Sequence, residues 1–331
     1  MKTHHILGAL LGVAMPSLST YAAIPPDYTV TYLGGHYGNA VNDSGQVVGL
    51  RSNDAGNLRG WLWQNGVMTD LCPLPGGRDS EATAINNIGQ VVGYSRTAGS
   101  DESQHAVLWQ DGTITDLGVL PGSMYSFAHG INNAGDVVGL SVYSYPGSAF
   151  LWAEGIMTRL TTGEAYDIND ATQIVGSDYN SRAFLWQNGL ITDLGTLGGA
   201  YSEARGINNK GQVVGGARTT NGNYHAFLWQ EGEMSDLGTL GGQSSMALAI
   251  NDYGQVVGFS TKEDGLNYPF LWDDGVMIDL LQFAPGRWAM DINNKGQIVV
   301  GAYLLTPIPE PATFSLLALG SLVLLRRRHR A

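Results

Sequence analysis

Residues 82–94 read Ala-Thr-Ala-Ile-Asn-Asn-Ile-Gly-Gln-Val-Val-Gly-Tyr, and residues 105–118 read His-Ala-Val-Leu-Trp-Gln-Asp-Gly-Thr-Ile-Thr-Asp-Leu-Gly. Together they hold four short extended runs, 82–86, 90–94, 105–110 and 113–117, rich in the β-branched and aromatic residues that suit strands. Asn86-Asn87-Ile88-Gly89 and Gln110-Asp111-Gly112 join these runs as tight hairpins, with glycine supplying a positive φ. Apolar residues fall on both sides of runs such as Ala183-Phe184-Leu185-Trp186, so both faces of each sheet are covered.

The unit recurs along the chain. An Ile/Val-Asn-Asn/Asp element places its first Asn at 42, 86, 132, 169, 208, 251 and 293, with spacings of 44, 46, 37, 39, 43 and 42 residues. A Leu-Trp element ends at Trp63, Trp109, Trp152, Trp186, Trp229 and Trp272. Four-stranded sheets covered on both faces and repeated about every 40 residues predict an all-β fold, a β-propeller. Seven blades are favoured, with six blades and irregular ends as the alternative. The last unit (289–293, 297–300 and 302–305) lacks a fourth strand, and residues 28–33 read as one. The N-terminal strand is therefore expected to complete the last blade, close the ring and remove its open edges.

Composition narrows the function. Glycine is 46 of 331 residues, as a turn-rich fold requires, and 44% hydrophobic residues supply a sizeable core. A single cysteine, Cys72, excludes an intrachain disulfide framework and any multi-cysteine zinc site, and reads as a packed thiol. The net charge of −12 excludes the basic footprint of a nucleic-acid binder. The body is more acidic still, because Lys2, Arg326, Arg327, Arg328 and Arg330 stand at the two ends.

Those ends read as addresses. Residues 1–22 have a basic start, an apolar run at 6–15 and small residues before Ala23, the pattern of a secretory signal peptide removed by signal peptidase. At the other end Pro309-Glu310-Pro311 is followed by an apolar run, 314–325, and Arg326-Arg327-Arg328-His329-Arg330. Twelve helical residues span about 18 Å against a hydrocarbon core of roughly 30 Å, so this reads as a transient membrane insertion with the arginines kept inside. The domains are thus 1–22 signal peptide, 23–306 propeller and 307–331 sorting segment. The last segment resembles the PEP-CTERM sorting signal of Gram-negative bacteria. That resemblance implies cleavage by a membrane exosortase, usually in species that make exopolysaccharide. The Ala-Phe-Leu-Trp elements, preceded by His at His225 and at His105 (with Val107 in place of Phe), resemble the HAF family of extracellular repeat proteins. This resemblance implies export and a repeat fold, and supplies no catalytic residue.

Residues shared by nearly every unit are expected to serve folding. The tryptophans fill gaps between sheets, with a sugar-stacking ring as the alternative. Asp70, Asp116, Asp193, Asp236 and Asp279 bond local backbone, and Arg159 stands at the equivalent place in one unit. The Asn-Asn/Asp-x-Gly turns lack the closing Glu of a calcium loop. No metal or cofactor is expected, since His36, His105, His129 and His225 lack ligand spacing. The sequence carries no Gly-x-Ser-x-Gly elbow, P-loop or dinucleotide fingerprint, and no catalytic residue is assigned.

Variation points elsewhere. In an up-and-down blade the uniform Asn-turns share one disc face, and the irregular loops 50–60, 94–104, 140–148, 216–224 and 259–268 share the other. Inside the regular strands a single position varies freely: Asn39, Thr83, His129, Tyr166, Arg205, Leu248 and Met290. If the first strand is innermost, this ring lies at the channel mouth on the irregular face, and Asn39, Thr83, His129, Tyr166 and Arg205 are the candidate ligand-binding residues, with mere tolerance of substitution as the alternative. The expected function is that of an exported, non-enzymatic surface or matrix protein, with a binding or structural role linked to exopolysaccharide. A carbohydrate-active enzyme with its site on the irregular face is the alternative.

Overall fold

The structure is a computed structural model that describes residues 27–53, 56–99, 103–144 and 146–309. The signal segment and the tail from Glu310, including Pro311 and the arginine cluster, lie outside the described residues. So does the apolar run 314–325, and among the described residues no helix is long and apolar enough to cross a membrane. The described part is all-β, with one short 3-10 turn at Leu280–Gln282.

Its strands pair antiparallel in groups of four that follow chain order: 37–71, 80–118, 125–162, 163–193, 198–236 and 245–279, here blades 1 to 6. Blade 7 combines Ala289–Ile292, Ile298–Val300 and Tyr303–Pro307 with the N-terminal strand Tyr28–Tyr32, which pairs Tyr28 with Pro307 and Tyr32 with Tyr303. Blades 3 and 4 share one continuous strand, Ile156–Ile168, whose first half pairs back with Ser148–Ala153 and whose second half pairs forward with Ile174–Asp178. First strands of neighbouring blades contact one another, so they line the centre of the disc.

Apolar clusters lie between adjacent blades. Val92, Ala106 and Leu108 of blade 2 meet Ala128, Ile131 and Phe150 of blade 3, and the pattern repeats round the disc. Phe150, Phe184, Phe227, Phe270 and Trp61 are fully buried. The tryptophans two residues further on pack against the same clusters but keep an outer edge exposed, except Trp109, which is 5% exposed.

Polar staples join the blades. Each Asn of the repeat accepts from its own turn and donates to the next blade: Asn42 Oδ1 takes the N–H groups of Ser44 and Gln46, while Asn42 Nδ2 donates to Asn86 O at 3.0 Å. The same bond recurs from Asn86, Asn132, Asn169, Asn208 and Asn251 to the carbonyl of the following Asn. Ser126 Oγ accepts from Ala106 N–H of the preceding blade and donates to Gly118 O, as Ser80, Ser202 and Ser245 do at their places. Buried polar groups are satisfied by one another, which is why these residues repeat.

The repeated aspartates have a double task. Asp116, Asp193 and Asp236 accept the N–H two residues on, and each also pairs with a basic side chain at the start of the third strand: His105, Arg182 and His225. The histidines before Ala-Val and Ala-Phe thus share their position and their aspartate partner with Arg182. In blades 1 and 6 the aspartate pairs instead with a residue from the end of the second strand, Arg51–Asp70 and Lys262–Asp279. Arg159, lacking the Asp, donates to Thr162 Oγ1. One sequence expectation fails. Cys72 is exposed, not packed, because it follows the outermost strand Val67–Leu71 as the loop begins, and only its carbonyl is held, by Trp109 Nε1 at 2.8 Å.

Candidate functional site

The variable position has a backbone cause. In every blade the first-to-second strand pairing slips at that residue, between Gly38 and Ala40, Ala82 and Ala84, Ala128 and Gly130, Ala165 and Asp167, Ala204 and Gly206, Ala247 and Ala249, and Ala289 and Asp291. Asn39, Thr83, His129, Tyr166, Arg205, Leu248 and Met290 are the extra residues of seven β-bulges, left out of the ladder and free of its packing.

These side chains do different things. Asn39 Nδ2 donates to Ala82 O and Thr83 Oγ1 to Ala128 O, so both are spent on joining neighbouring blades. His129, Tyr166 and Arg205 come together on blades 3, 4 and 5. The rings of His129 and Tyr166 lie 5.9 Å apart, and the Arg205 guanidinium carbon sits 4.0 Å from the Tyr166 ring centroid. Two glutamates complete the cluster. Glu164 takes Tyr166 O–H on Oε2 at 3.0 Å, and its Oε1 stands 2.9 Å from His129 Nε2, off the line of a well-aligned hydrogen bond. Glu203 Oε2 accepts from Arg205 Nη2 at 2.7 Å.

The glutamates occupy a second variable position, two residues before the bulge and nearer the irregular face: Tyr37, Glu81, Phe127, Glu164, Glu203, Met246 and Trp288. Sequence reasoning passed over this ring, although its residue types vary as widely as those of the bulge.

A cleft of about 310 Å³ opens here, lined by Pro146, Gly163, Glu164, Tyr166, Glu203 and Tyr224 among others. Its cause is the uninterrupted strand Ile156–Ile168. Elsewhere a loop of several residues, such as 119–124 or 237–244, crosses the irregular face between blades, whereas blade 3 passes into blade 4 with none. The shortest spacing in the sequence, 37 residues between Asn132 and Asn169, marks that missing loop. Gly163 makes the passage possible: its φ is +132°, and a Cβ there would meet Ser177 O at 2.3 Å. Beside the cleft, Arg218 lies between the rings of Tyr201 and Tyr224, 5.2 and 5.8 Å from their centroids.

Burial would push the Glu164 carboxyl up, but the close His129, the Tyr166 hydrogen bond and the Arg205 charge hold it below the usual carboxylate range. Burial pushes the Tyr166 phenol up to about 12, against the pull of Arg205. Below the cluster, on the channel wall, Asp167 accepts from Ile168 N–H and Ile207 N–H, and Asp291 likewise from Ile292 and Val41. Burial outweighs those bonds and raises Asp167 to about 7 and Asp291 to about 6, although part of each residue still faces the channel.

The opposite mouth is lined differently. Asp43, Asp170 and Asp252 accept on both oxygens from the backbone and side-chain amides of Asn87, Asn133, Asn209 and Asn294. Their lone pairs are taken up by N–H donors, and among the described residues no group of three or more His, Cys, Asp or Glu is placed to hold a metal.

Comparison with known proteins bears on the tail and the fold. Residues 307–330 match the PEP-CTERM protein-sorting motif. The tail is a PEP-CTERM sorting signal. It marks the chain for export to the cell envelope or surface of a Gram-negative bacterium and for processing by exosortase. No curated protein matches the sequence. Among solved structures, the puromycin-hydrolysing peptidase of Mycobacterium tuberculosis is similar at 14% identity, over 77% of this chain and 47% of that one, with a TM-score of 0.50. The acylaminoacyl peptidase of Pyrococcus horikoshii (15%, 71% and 43%, 0.49) and the β-propeller domain of the Trilobed protease of Pyrococcus furiosus (12%, 74% and 83%, 0.49) are also similar. This chain spans less than half of either peptidase, and likeness at such identity concerns the fold alone.

Proposed function

We propose that this protein is an exported, non-enzymatic binding module of the cell surface: a seven-bladed, HAF-type ring closed through its N-terminal strand, whose blade 4 cleft takes a glycan of the surrounding exopolysaccharide. The observation that carries this reading is the convergence of Glu164, Tyr166, Glu203 and Tyr224 on one open cleft where the crossover loop is missing. Aromatic faces stack on sugar rings while fixed carboxylates accept from hydroxyl groups.

The pairing of the carboxylates favours binding over hydrolysis. A glycoside-cleaving pair needs one carboxyl kept protonated near neutrality. Glu164 is instead held ionised, and Glu203 is engaged with Arg205. Asp167 is raised, but both its oxygens accept backbone N–H groups, an arrangement Asp291 repeats in blade 7 away from the cleft.

The experiment is a screen of purified residues 23–308 against exopolysaccharide fractions, scored for binding and for turnover. Saturable binding with the glycan recovered intact supports the reading. Turnover lost in Glu164→Gln establishes the enzyme instead.

A further inference from the structure

The first and last described residues leave the disc from one face. In blade 7 Tyr303–Pro307 runs towards the Asn-turn face, where Gln297 Nε2, at the end of the turn that starts at Asn293, donates to Thr306 Oγ1 at 3.0 Å. Tyr28 starts the paired strand opposite Pro307, and Ile308 N–H donates to Asp27 O at 2.8 Å. The two ends therefore stand where blades 1 to 6 carry the hairpin turn between their third and fourth strands. The cleft opens on the other face, at the entry to blade 4.

The sorting signal starts at this point. It matches from residue 307, and Pro309-Glu310-Pro311 begins two residues beyond the strand. Two extended residues reach about 7 Å at most, whereas strands of five to seven residues make the disc roughly 17–24 Å thick. So short a tether cannot carry whatever holds the Pro-Glu-Pro segment round to the cleft face.

Contact groups wait beside the exit. Tyr253, 74% exposed, and Lys295 line with Tyr28 and Pro307 a hollow of about 370 Å³, and Ile88 on another Asn-turn is 66% exposed. We infer that the Asn-turn face is the surface that abuts the membrane-embedded exosortase during sorting, with the cleft turned outward. This inference rests on the sorting signal and the path of the chain, and holds whatever the cleft binds.

Site-specific photo-cross-linking in the native host, using the full-length chain and a tagged exosortase, tests it. A benzoyl-phenylalanine is placed in turn at Tyr253 and Ile88 on the Asn-turn face, at Tyr143 and Tyr179 on the loop face, and at Ala312 in the tail. Adducts with the enzyme are expected from Ala312, Tyr253 and Ile88, and about tenfold fewer from Tyr143 and Tyr179, as a short tether gives one face a high effective concentration. Adducts from Ala312 alone, or equal yields from both faces, would overturn the inference.

Discussion

Asn293 Nδ2 donates to Asn42 O at 2.8 Å, joining residues 251 positions apart in the chain. It is the seventh of seven equivalent bonds and links the last Asn-turn to the first. A side chain that orders its own hairpin with its oxygen and binds the next blade with its nitrogen couples local turn formation to assembly of the ring. That coupling explains why Asn holds this position in all seven units.

Removal of one staple should cost far more than removal of a surface contact. Asn208, 4% exposed, donates to Asn251 O and Gln212 Oε1 and accepts from Lys210 N–H and Gln212 N–H. Asn208→Ala is expected to destabilise by about 3 kcal/mol, since several buried partners are left unsatisfied. Its exposed neighbour gives the control, Asn209→Ala costing no more than about 1 kcal/mol. Urea unfolding of both variants measures the difference.

One Asn-turn carries strain that the other six avoid. Thr172 has φ +54° where the other six Asn-turns have Gly45, Gly89, Gly135, Gly211, Gly254 and Gly296. A β-branched residue in the left-handed region is costly, so Thr172→Gly should stabilise the protein by about 1 kcal/mol. A lower denaturation midpoint in this variant would contradict the account.

The pairing of Tyr28–Tyr32 with Tyr303–Pro307 has its own consequence. Deletion of residues 24–34 would strip Tyr303–Pro307 of its outer partner and leave an open edge. Such edges recruit other strands, so aggregation or loss of the cooperative transition is expected. A truncated protein that stayed monomeric with an unchanged melting transition would count against closure.

Acidity acts through Asp167 and Asp291. Their folded-state values, about 7 and about 6, lie above the ordinary aspartate value. The folded state then binds more protons than the unfolded one, so their contribution is complete below roughly pH 4 and declines as pH rises towards 7. Asp116 and Glu164 are shifted the other way, and their contribution is lost as pH falls through their lowered values. Unfolding midpoints between pH 4 and 8 should therefore show a decline that flattens in Asp167→Asn. An identical slope in the variant would remove Asp167 from this role.

Much of the fold was legible because the units state it repeatedly. The four runs of the second unit appear as Ser80–Ile85, Val91–Arg96, Gln104–Gln110 and Thr113–Gly118, within two residues of expectation. The bulge was not legible, because a slipped ladder leaves no periodic trace in one short strand. Its effect, free variation at Tyr166 and its counterparts, was visible without its cause. Cys72 was misjudged because an edge-strand end and a packed strand end look alike in sequence. The cleft had a readable sign in the 37-residue spacing, but only the paired strands show that the missing residues are a crossover loop on the irregular face.

The most direct test of the central claim is the affinity of residues 23–308 for the best glycan from the screen, measured for the unaltered protein, Tyr166→Ala, Arg205→Ala and Lys210→Ala. Tyr166 and Arg205 stack on one another at the cleft, whereas Lys210 lies on an Asn-turn of the opposite face. The account predicts losses of about 1 kcal/mol or more for each of the first two, as for other aromatic and arginine anchors, and unchanged binding for Lys210→Ala. Equal affinity in all three variants would contradict it.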